Sequence, residues 1–323
     1  MRSDPGCLLI ADDLTGACDA AVQFAMRGLA VRVSLSDNLR EPIDVLAVST
    51  ESRDCGLASF RAALEPLLSL NPRILFKKID STLRGYAGAE VSATLDAFGY
   101  DFALVTPAFP AMGRIVESGY LLLQGEIGFV PLDLAACFPD RKSCFLLRDA
   151  TCDADLDAIV RDGLALDGRV VWAGSAGLAA AVARAIAAGA PGELTFAPAP
   201  PMFCLGSDHP VTLEQQRRLM EARSGSTVLR IGRNEQPGRV REQIGDCRVP
   251  LVLSGGDTAS LVCRALEVKA IDLRREVAPG IPCGILCGGP FHGLPVVTKS
   301  GGFGQPDALI EISDFFTCSP KSH

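Results

Sequence analysis

Residues 74–85 read ILFKKIDSTLRG, and the fold is decided by how this stretch changes character halfway along. Ile74-Leu75-Phe76 is a short apolar run of the kind that forms a buried strand. Lys77–Gly85 then supplies two ammonium groups, one guanidinium, one carboxylate and two hydroxyls in nine residues. In open α/β sheets, ligands bind beyond the carboxyl ends of strands, where the strand order reverses. The cations suit an anionic substrate, and a carboxylate beside hydroxyls suits proton abstraction from an alcohol. A solvated loop with one internal ion pair is the competing reading.

The same strand-then-polar pattern recurs on the N-terminal side. Cys7–Ala11 is apolar and is followed at once by Asp12 and Asp13. Thr15 is placed to cap a helix whose apolar positions Ala17, Ala20, Ala21 and Phe24 fall at helical spacing, and Gly28 ends it. Paired aspartates in such a turn can hold a metal, bind hydroxyls or act as a base; Asp13 could instead cap the helix. Strands are expected at Val31–Leu35 and Asp44–Ser49, the second leading into Arg53. A guanidinium there can grip a carboxylate through two bonds, or simply pair with Glu51 or Asp54.

A helix near Leu57–Leu68 is expected before the stretch, and helices near Ala87–Phe98 and Asp155–Leu164 on its C-terminal side. Strands are expected at Phe102–Thr106 and Val170–Ala173, and a hairpin over residues 120–130. Pro107–Arg114 is a rigid turn carrying Arg114 as a further anion candidate. Gly174-Ser175 opens an Ala-rich helix, Leu178–Ala188, and could touch a phosphate or merely allow close packing.

Residues 189–201, with four prolines and two glycines, form the expected linker between a substrate domain, 1–190, and a nucleotide domain, 200–323. Beyond it, expected strands at Met202–Leu205, Val228–Ile231 and Leu251–Leu253 alternate with helices near Thr212–Ala222 and Ala259–Leu266. Glycine turns follow at Gly206-Ser207, at Ser254–Thr258 and at Ser300–Gly304. Backbone N–H groups at such turns bind phosphate oxygens, and glycine lets the phosphate approach. Three of them point to one nucleotide pocket. The phosphate-loop pattern fails at Thr298, and no G-x-G-x-x-G fingerprint occurs, which disfavours a dehydrogenase.

Bulk properties narrow the classes. The chain has 323 residues, 48% hydrophobic and 21% charged, which is a globular composition. A formal charge of -7 argues against nucleic-acid binding. With three histidines and no C-x-x-C pair, a zinc site is poorly supported. Acidic residues come too early for a signal peptide, and no apolar stretch reaches membrane-span length. The reading is a reduced, cytoplasmic protein whose twelve thiols are mostly buried and inert.

Taken together, IADDLTGACDAAVQFAMRG (10–28), STESRD (49–54), KKIDSTLRG (77–85) and PAFPAMGR (107–114) resemble the N-terminal domain of the four-carbon acid sugar kinase family. GSDHPVT (206–212), SGGDTASLV (254–262), EVAPGIPCG (276–284) and LPVVTKSGGFG (294–304) resemble its C-terminal nucleotide-binding domain. The resemblance implies two α/β domains with mainly parallel sheets and an active site in the cleft between them. It implies ATP-dependent phosphorylation of the terminal hydroxyl of threonate, erythronate or 3-oxo-tetronate, with ATP and Mg²⁺ required. Substrate binding falls to Asp12, Asp13, Arg53, Lys78, Asp80, Ser81, Thr82, Leu83 and Arg84, and ATP binding to Ser207, Gly255, Gly256, Asp257, Thr258, Gly301 and Gly302. Arg53 and Arg84 are expected to hold the substrate carboxylate or hydroxyls with Lys78 adding field, Asp80 to be the base, and Asp13 the second choice. Expected partners are the sugar acid and ATP, without nucleic acid or membrane, and a homodimer is an open option. The chain is about a hundred residues shorter than is usual for the family, and the stretch after Tyr120 departs from its pattern. A non-catalytic sugar-acid- or nucleotide-binding protein is the alternative reading.

Overall fold

The computed structural model describes residues 4–36, 39, 42–125, 128–138 and 144–318. The chain divides into two compact units, Met1–Ala190 and Pro191–His323. The residues around this boundary, 187–201, hold neither helix nor strand, as the run of prolines dictates.

The first unit opens with β1 (Cys7–Ala11), α1 (Leu14–Ala25), β2 (Val31–Ser34), β3 (Val45–Ser49), α2 (Leu57–Leu64), β4 (Ile74–Lys78) and α3 (Ala87–Phe98). It continues with β5 (Phe102–Thr106), β6 (Arg114–Glu117), β7 (Tyr120–Gly125), β8 (Gly128–Asp133), α4 (Leu134–Cys137) and β9 (Phe145–Leu147), and closes with α5 (Asp153–Leu164), β10 (Val170–Gly174) and α6 (Ala176–Ile186). Seven strands form a parallel sheet in the order β2-β3-β1-β4-β10-β5-β9. Strand β1 is fully buried, as expected of a central parallel strand covered on both faces. Burying Leu8, Leu9 and Ile10 there contributes roughly 2 kcal/mol each. After β1 the chain steps to one side of it, and from β4 onward to the other. The strand order therefore reverses between β1 and β4, and their carboxyl ends flank the crevice where such sheets bind ligands.

The expected hairpin is present and larger than anticipated. β6, β7 and β8 form a separate antiparallel sheet, with Arg114 paired to Leu123. Its tip, 126–127, and residues 139–143 of the departing segment lie outside the described residues.

The second unit contains β11 (Met202–Leu205), α7 (Pro210–Ala222), β12 (Thr227–Arg230), α8 (Pro237–Ile244), β13 (Leu251–Ser254) and α9 (Gly256–Ala265), then β14 (Ala270–Ala278), β15 (Ile281–Cys287), β16 (Pro295–Lys299) and α10 (Ala308–Thr317). Its strands run in the order β12-β11-β13-β16-β15-β14. The first four are parallel; β15 pairs antiparallel with β16, and β14 antiparallel with β15. Phe203, Leu205, Leu219, Val297, Leu309 and Phe316 belong to its core.

Two open alternatives are decided and one expectation is corrected. Asp13, not Thr15, caps α1: its Oδ1 accepts from Gly16 N at 2.7 Å, and Thr15 lies inside the helix. The Gly174-Ser175 turn serves packing rather than phosphate. Ser175 is fully buried and donates to the Ala108 carbonyl, and a side chain at Gly177 would strike that same carbonyl at 2.5 Å. The thiols are not mostly buried. Cys7, Cys18, Cys204, Cys263 and Cys283 are, but Cys55, Cys152, Cys247 and Cys318 are exposed, because they fall in loops and at helix ends. Burial pushes the Cys204 and Cys283 thiols up to about 12, which keeps them protonated.

Candidate active site

The crevice of the first unit gathers residues that are far apart in sequence. Asp12 and Asp13 follow β1, Arg53 follows β3, and Asp80 follows β4. Arg53 occupies their centre. Its Nε and Nη2 donate to Asp12 Oδ2 and Oδ1, both at 2.8 Å, and its Nη1 donates to Asp13 Oδ2 at 2.5 Å. Nη2 also lies 3.7 Å from Asp80 Oδ1. Arg53 thus fastens three carboxylates together, and neither Glu51 nor Asp54 is its partner. Glu51 instead accepts from the Ser49 hydroxyl.

Asp80 is fully engaged as well. Its Oδ2 accepts from Thr82 N at 3.0 Å, Thr82 Oγ1 at 2.5 Å and Arg84 Nε at 3.1 Å, and its Oδ1 accepts from Arg84 Nη2 at 2.7 Å. The turn that arranges these donors puts Leu83 in the left-handed region, at φ 59. For a non-glycine residue this costs on the order of 1 kcal/mol. Ser81 is buried beside Asp80, while the Arg84 side chain is 62% exposed, so its outer face is open to a ligand.

The two lysines at the end of β4 part company, since consecutive strand residues face opposite sides of a sheet. Lys77 is fully buried, pairs with Glu90 of α3 at 2.8 Å and lies over the Phe60 ring of α2. Glu90 in turn accepts from Ser52 Oγ at 2.5 Å, one residue before Arg53. Lys78 faces α1, donates to the Ile79 carbonyl at 3.0 Å, and adds positive field to all three aspartates.

The carboxylates are unequal. Burial pushes Asp12 up, but Arg53, Lys77 and Lys78 outweigh it and hold it below its ordinary value. Burial likewise opposes Asp80, yet Arg84, Arg53 and Lys78 bring it far below. Asp13 goes the other way: burial and the charge of Asp12 outweigh Arg53 and Lys78 and raise it. Burial lowers Arg114, which also feels Asp80 and Asp19.

In the second unit the three glycine turns meet. They follow β11, β13 and β16, which are adjacent strands of one parallel sheet. A methyl group on Gly206 would overlap the Thr258 hydroxyl, and one on Gly301 would overlap the Ser207 hydroxyl. Gly255, at φ +106, lies 3.5 Å by the same measure from Ser207 N. The His209 ring abuts Gly302 at 3.2 Å. Gly256 begins α9, so its amide end opens at this junction; Asp257 is exposed in the first turn and Thr258 is buried. Such a cradle of close-packed glycine backbone at strand ends and a helix N-terminus has the chemistry of a phosphate-binding site.

Two residues that sequence reasoning passed over complete the picture: Glu90, behind Arg53, and Lys299, beneath the third glycine turn. Glu90 falls in the first turn of a helix, where capping explains it, and Lys299 ends a strand. A buried charge, the property that distinguishes both, is invisible without the fold.

A parallel-sheet unit with an acid–arginine crevice and a second unit with a phosphate cradle are the parts of an enzyme that handles a small polar substrate and a nucleotide. Comparison with known proteins carries this further. Residues 7–136 match the family model described as a sugar-binding N-terminal domain, and residues 214–309 match that of a nucleotide-binding C-terminal domain. A D-threonate kinase of Bordetella bronchiseptica is 32% identical over 395 residues, covering 94% of this chain and 96% of that protein. A D-erythronate kinase of Heliobacterium modesticaldum is 26% identical, covering 95% and 96%. The fold matches a solved protein from Salmonella typhimurium LT2 with a TM-score of 0.70 at 18% identity, over 96% of this chain and 99% of that one. The chain belongs to the four-carbon acid sugar kinase family. The alignment to the Bordetella enzyme spans 395 positions against 323 residues here, so that relative carries stretches without a counterpart in this chain.

Proposed function

We propose that the protein transfers the γ-phosphoryl group of ATP to the terminal hydroxyl of a four-carbon sugar acid. The observation that carries this reading is the crevice where Arg53 fastens Asp12, Asp13 and Asp80 at the strand-order reversal. A polyhydroxy acid needs carboxylates to accept its hydroxyl protons and cations to hold its own carboxylate; the crevice supplies both.

The roles follow from the bonding. Each nitrogen of the Arg53 guanidinium already bonds a protein carboxylate, so its task is to hold them in register rather than to clamp the substrate. The substrate carboxylate then falls to Arg84, whose guanidinium is half open, and to the field of Lys78 and Arg114. Asp12 and Asp80 stay ionised and accept hydroxyl hydrogen bonds, with Ser81 and Thr82 beside them. Asp13 is the base. A general base works best when its proton affinity approaches that of the medium, and Asp13 is the raised carboxyl of the three, whereas Asp80 is held far below the useful range by Arg84. This reverses the order expected from sequence, where an ion pair inside the loop was only the competing reading.

Ser207, Gly255, Gly256, Thr258, Gly301 and Gly302 would receive the triphosphate, gathered where Gly206 and Gly301 close on the Thr258 and Ser207 hydroxyls and α9 begins at Gly256. Bound Mg²⁺ would neutralise charge on the phosphate oxygens. Among the described residues no group of three or more His, Cys, Asp or Glu side chains forms a metal cage. That fits an ion carried mainly by the phosphates, with Asp257 available to its water shell.

The test is ADP release from ATP and Mg²⁺ over D-threonate, D-erythronate, L-threonate, L-erythronate and 3-oxo-tetronate. Turnover with one of them supports the reading. Tight binding of a sugar acid with no ADP release from any would replace it with the non-catalytic alternative.

A further inference from the structure

Strand β16 ends on Lys299, which is fully buried. No carboxylate among the described residues pairs with it, and burial pulls its amine down to about 7. A lone buried lysine is costly and calls for a reason. Its contacts supply one. Nζ donates to the carbonyls of Ser300 at 3.0 Å, Gly301 at 3.3 Å and Phe303 at 3.1 Å, and approaches Thr212 Oγ1 at 3.4 Å. Thr212 Oγ1 itself donates to the Gly301 carbonyl at 2.7 Å. Gln215 Nε2 takes the carbonyls of Phe303, Gly304 and Gln305 at 3.0, 3.1 and 2.9 Å.

Five carbonyls of one short loop are thereby turned inward. A trans peptide is planar, with its N–H opposite its C=O. Where the carbonyls of Ser300, Gly301 and Phe303 face the lysine, the amides of Gly301, Gly302 and Gly304 must face away from it. The first two have no hydrogen-bond partner among the described residues. Outward-facing consecutive amides form an anion-binding concavity.

We propose that Lys299, with Thr212 and Gln215, is the positioning device of this loop, gripping its carbonyls from beneath so that its amides stand ready for the phosphate chain of ATP. It rests on the ATP reading above. Lys299 touches no nucleotide; it acts through the peptide planes of residues 300–304. The glycines at 301 and 302 allow the close approach, and the lysine sets the direction.

The experiment measures binding of Mg-ATP and of adenosine to the full chain by calorimetry, with thermal melts alongside, for wild type, Lys299→Met, Gln215→Leu and Thr212→Val. Lys299→Met should weaken ATP binding on the order of 10- to 100-fold, the loss of one or two charge-assisted hydrogen bonds. Adenosine binding, which needs no phosphate donors, should stay within about twofold. Gln215→Leu and Thr212→Val should show the same selective loss in smaller measure, and they carry the test if Lys299→Met fails to fold. ATP binding within twofold of wild type in the folded variants overturns the proposal, as does equal loss for ATP and adenosine. A wild type that binds no ATP would bring down the kinase reading itself, and this inference with it.

Discussion

Arg53 and Asp12 form a two-pronged ion pair, Nε to Oδ2 and Nη2 to Oδ1, each at 2.8 Å, across 41 residues of sequence. The third arm of the same guanidinium reaches Asp13, and its flank faces Asp80. The geometry uses the planar fork of arginine, which a lysine cannot reproduce. Arg53→Lys should therefore keep one charge but lose the register of the carboxylates. We expect kcat/KM to fall on the order of 100-fold in an ADP-release assay, since misplacing reacting groups by about 1 Å has that effect. A variant within threefold of wild type would show that the three-way fastening is unnecessary.

The choice between Asp13 and Asp80 as base can be read from pH. A base must be deprotonated to act, so activity falls as pH drops through its pKa. With Asp13 as base, the acidic limb of kcat/KM lies above the ordinary aspartate value of 3.8. With Asp80, it would lie below that value. Asp13→Asn should lose about 10³-fold in kcat while still binding ATP. A limb below 3.8, or an Asp13→Asn enzyme with near-normal turnover, would return the role to Asp80.

Gly16 is a more local test. A methyl group there would lie 2.5 Å from Asp13 Oδ1, the atom that caps α1. Gly16→Ala must displace that carboxylate and with it the Arg53 contact. Denaturant unfolding should show a loss of about 1 kcal/mol, the usual value of a helix cap. Turnover should fall more than this small destabilisation explains. Unchanged kinetics would mean that Asp13 can move without consequence.

Much of this was legible in the sequence, for physical reasons that differ by residue. Asp12, Asp13, Arg53 and Asp80 announce themselves because polar groups follow directly on apolar strands, and parallel sheets place all strand ends of one sense on one edge. The glycine turns after β11, β13 and β16 are legible on the same grounds. Partnership was not. Arg53 pairs across 41 residues, beyond any local pattern, so nearby Glu51 and Asp54 looked equally apt. Lys77 and Lys78 look alike as letters, though strand alternation already required them to face opposite sides. Strands β6, β9, β14 and β15 and helices α4, α8 and α10 escaped notice. β9 is three residues long and β6 four, below what periodicity resolves. α8 is so polar that only Val240 and Ile244 are buried.

The pair beneath the site yields the remaining prediction. Lys77 and Glu90 are both buried, 2.8 Å apart, and Glu90 also holds Ser52 next to Arg53. Removing one charge from a buried pair leaves the other uncompensated, typically at 3–5 kcal/mol. Glu90→Gln should accordingly lose about 3 kcal/mol in denaturant unfolding. Lys77→Met combined with Glu90→Leu removes both charges, and should be more stable than Glu90→Gln despite the larger change. Activity distinguishes a second role. If Glu90 also sets the Arg53 loop through Ser52, the double variant recovers stability without recovering kcat/KM. Recovery of both would confine the pair to folding and leave Arg53 held by its aspartates alone.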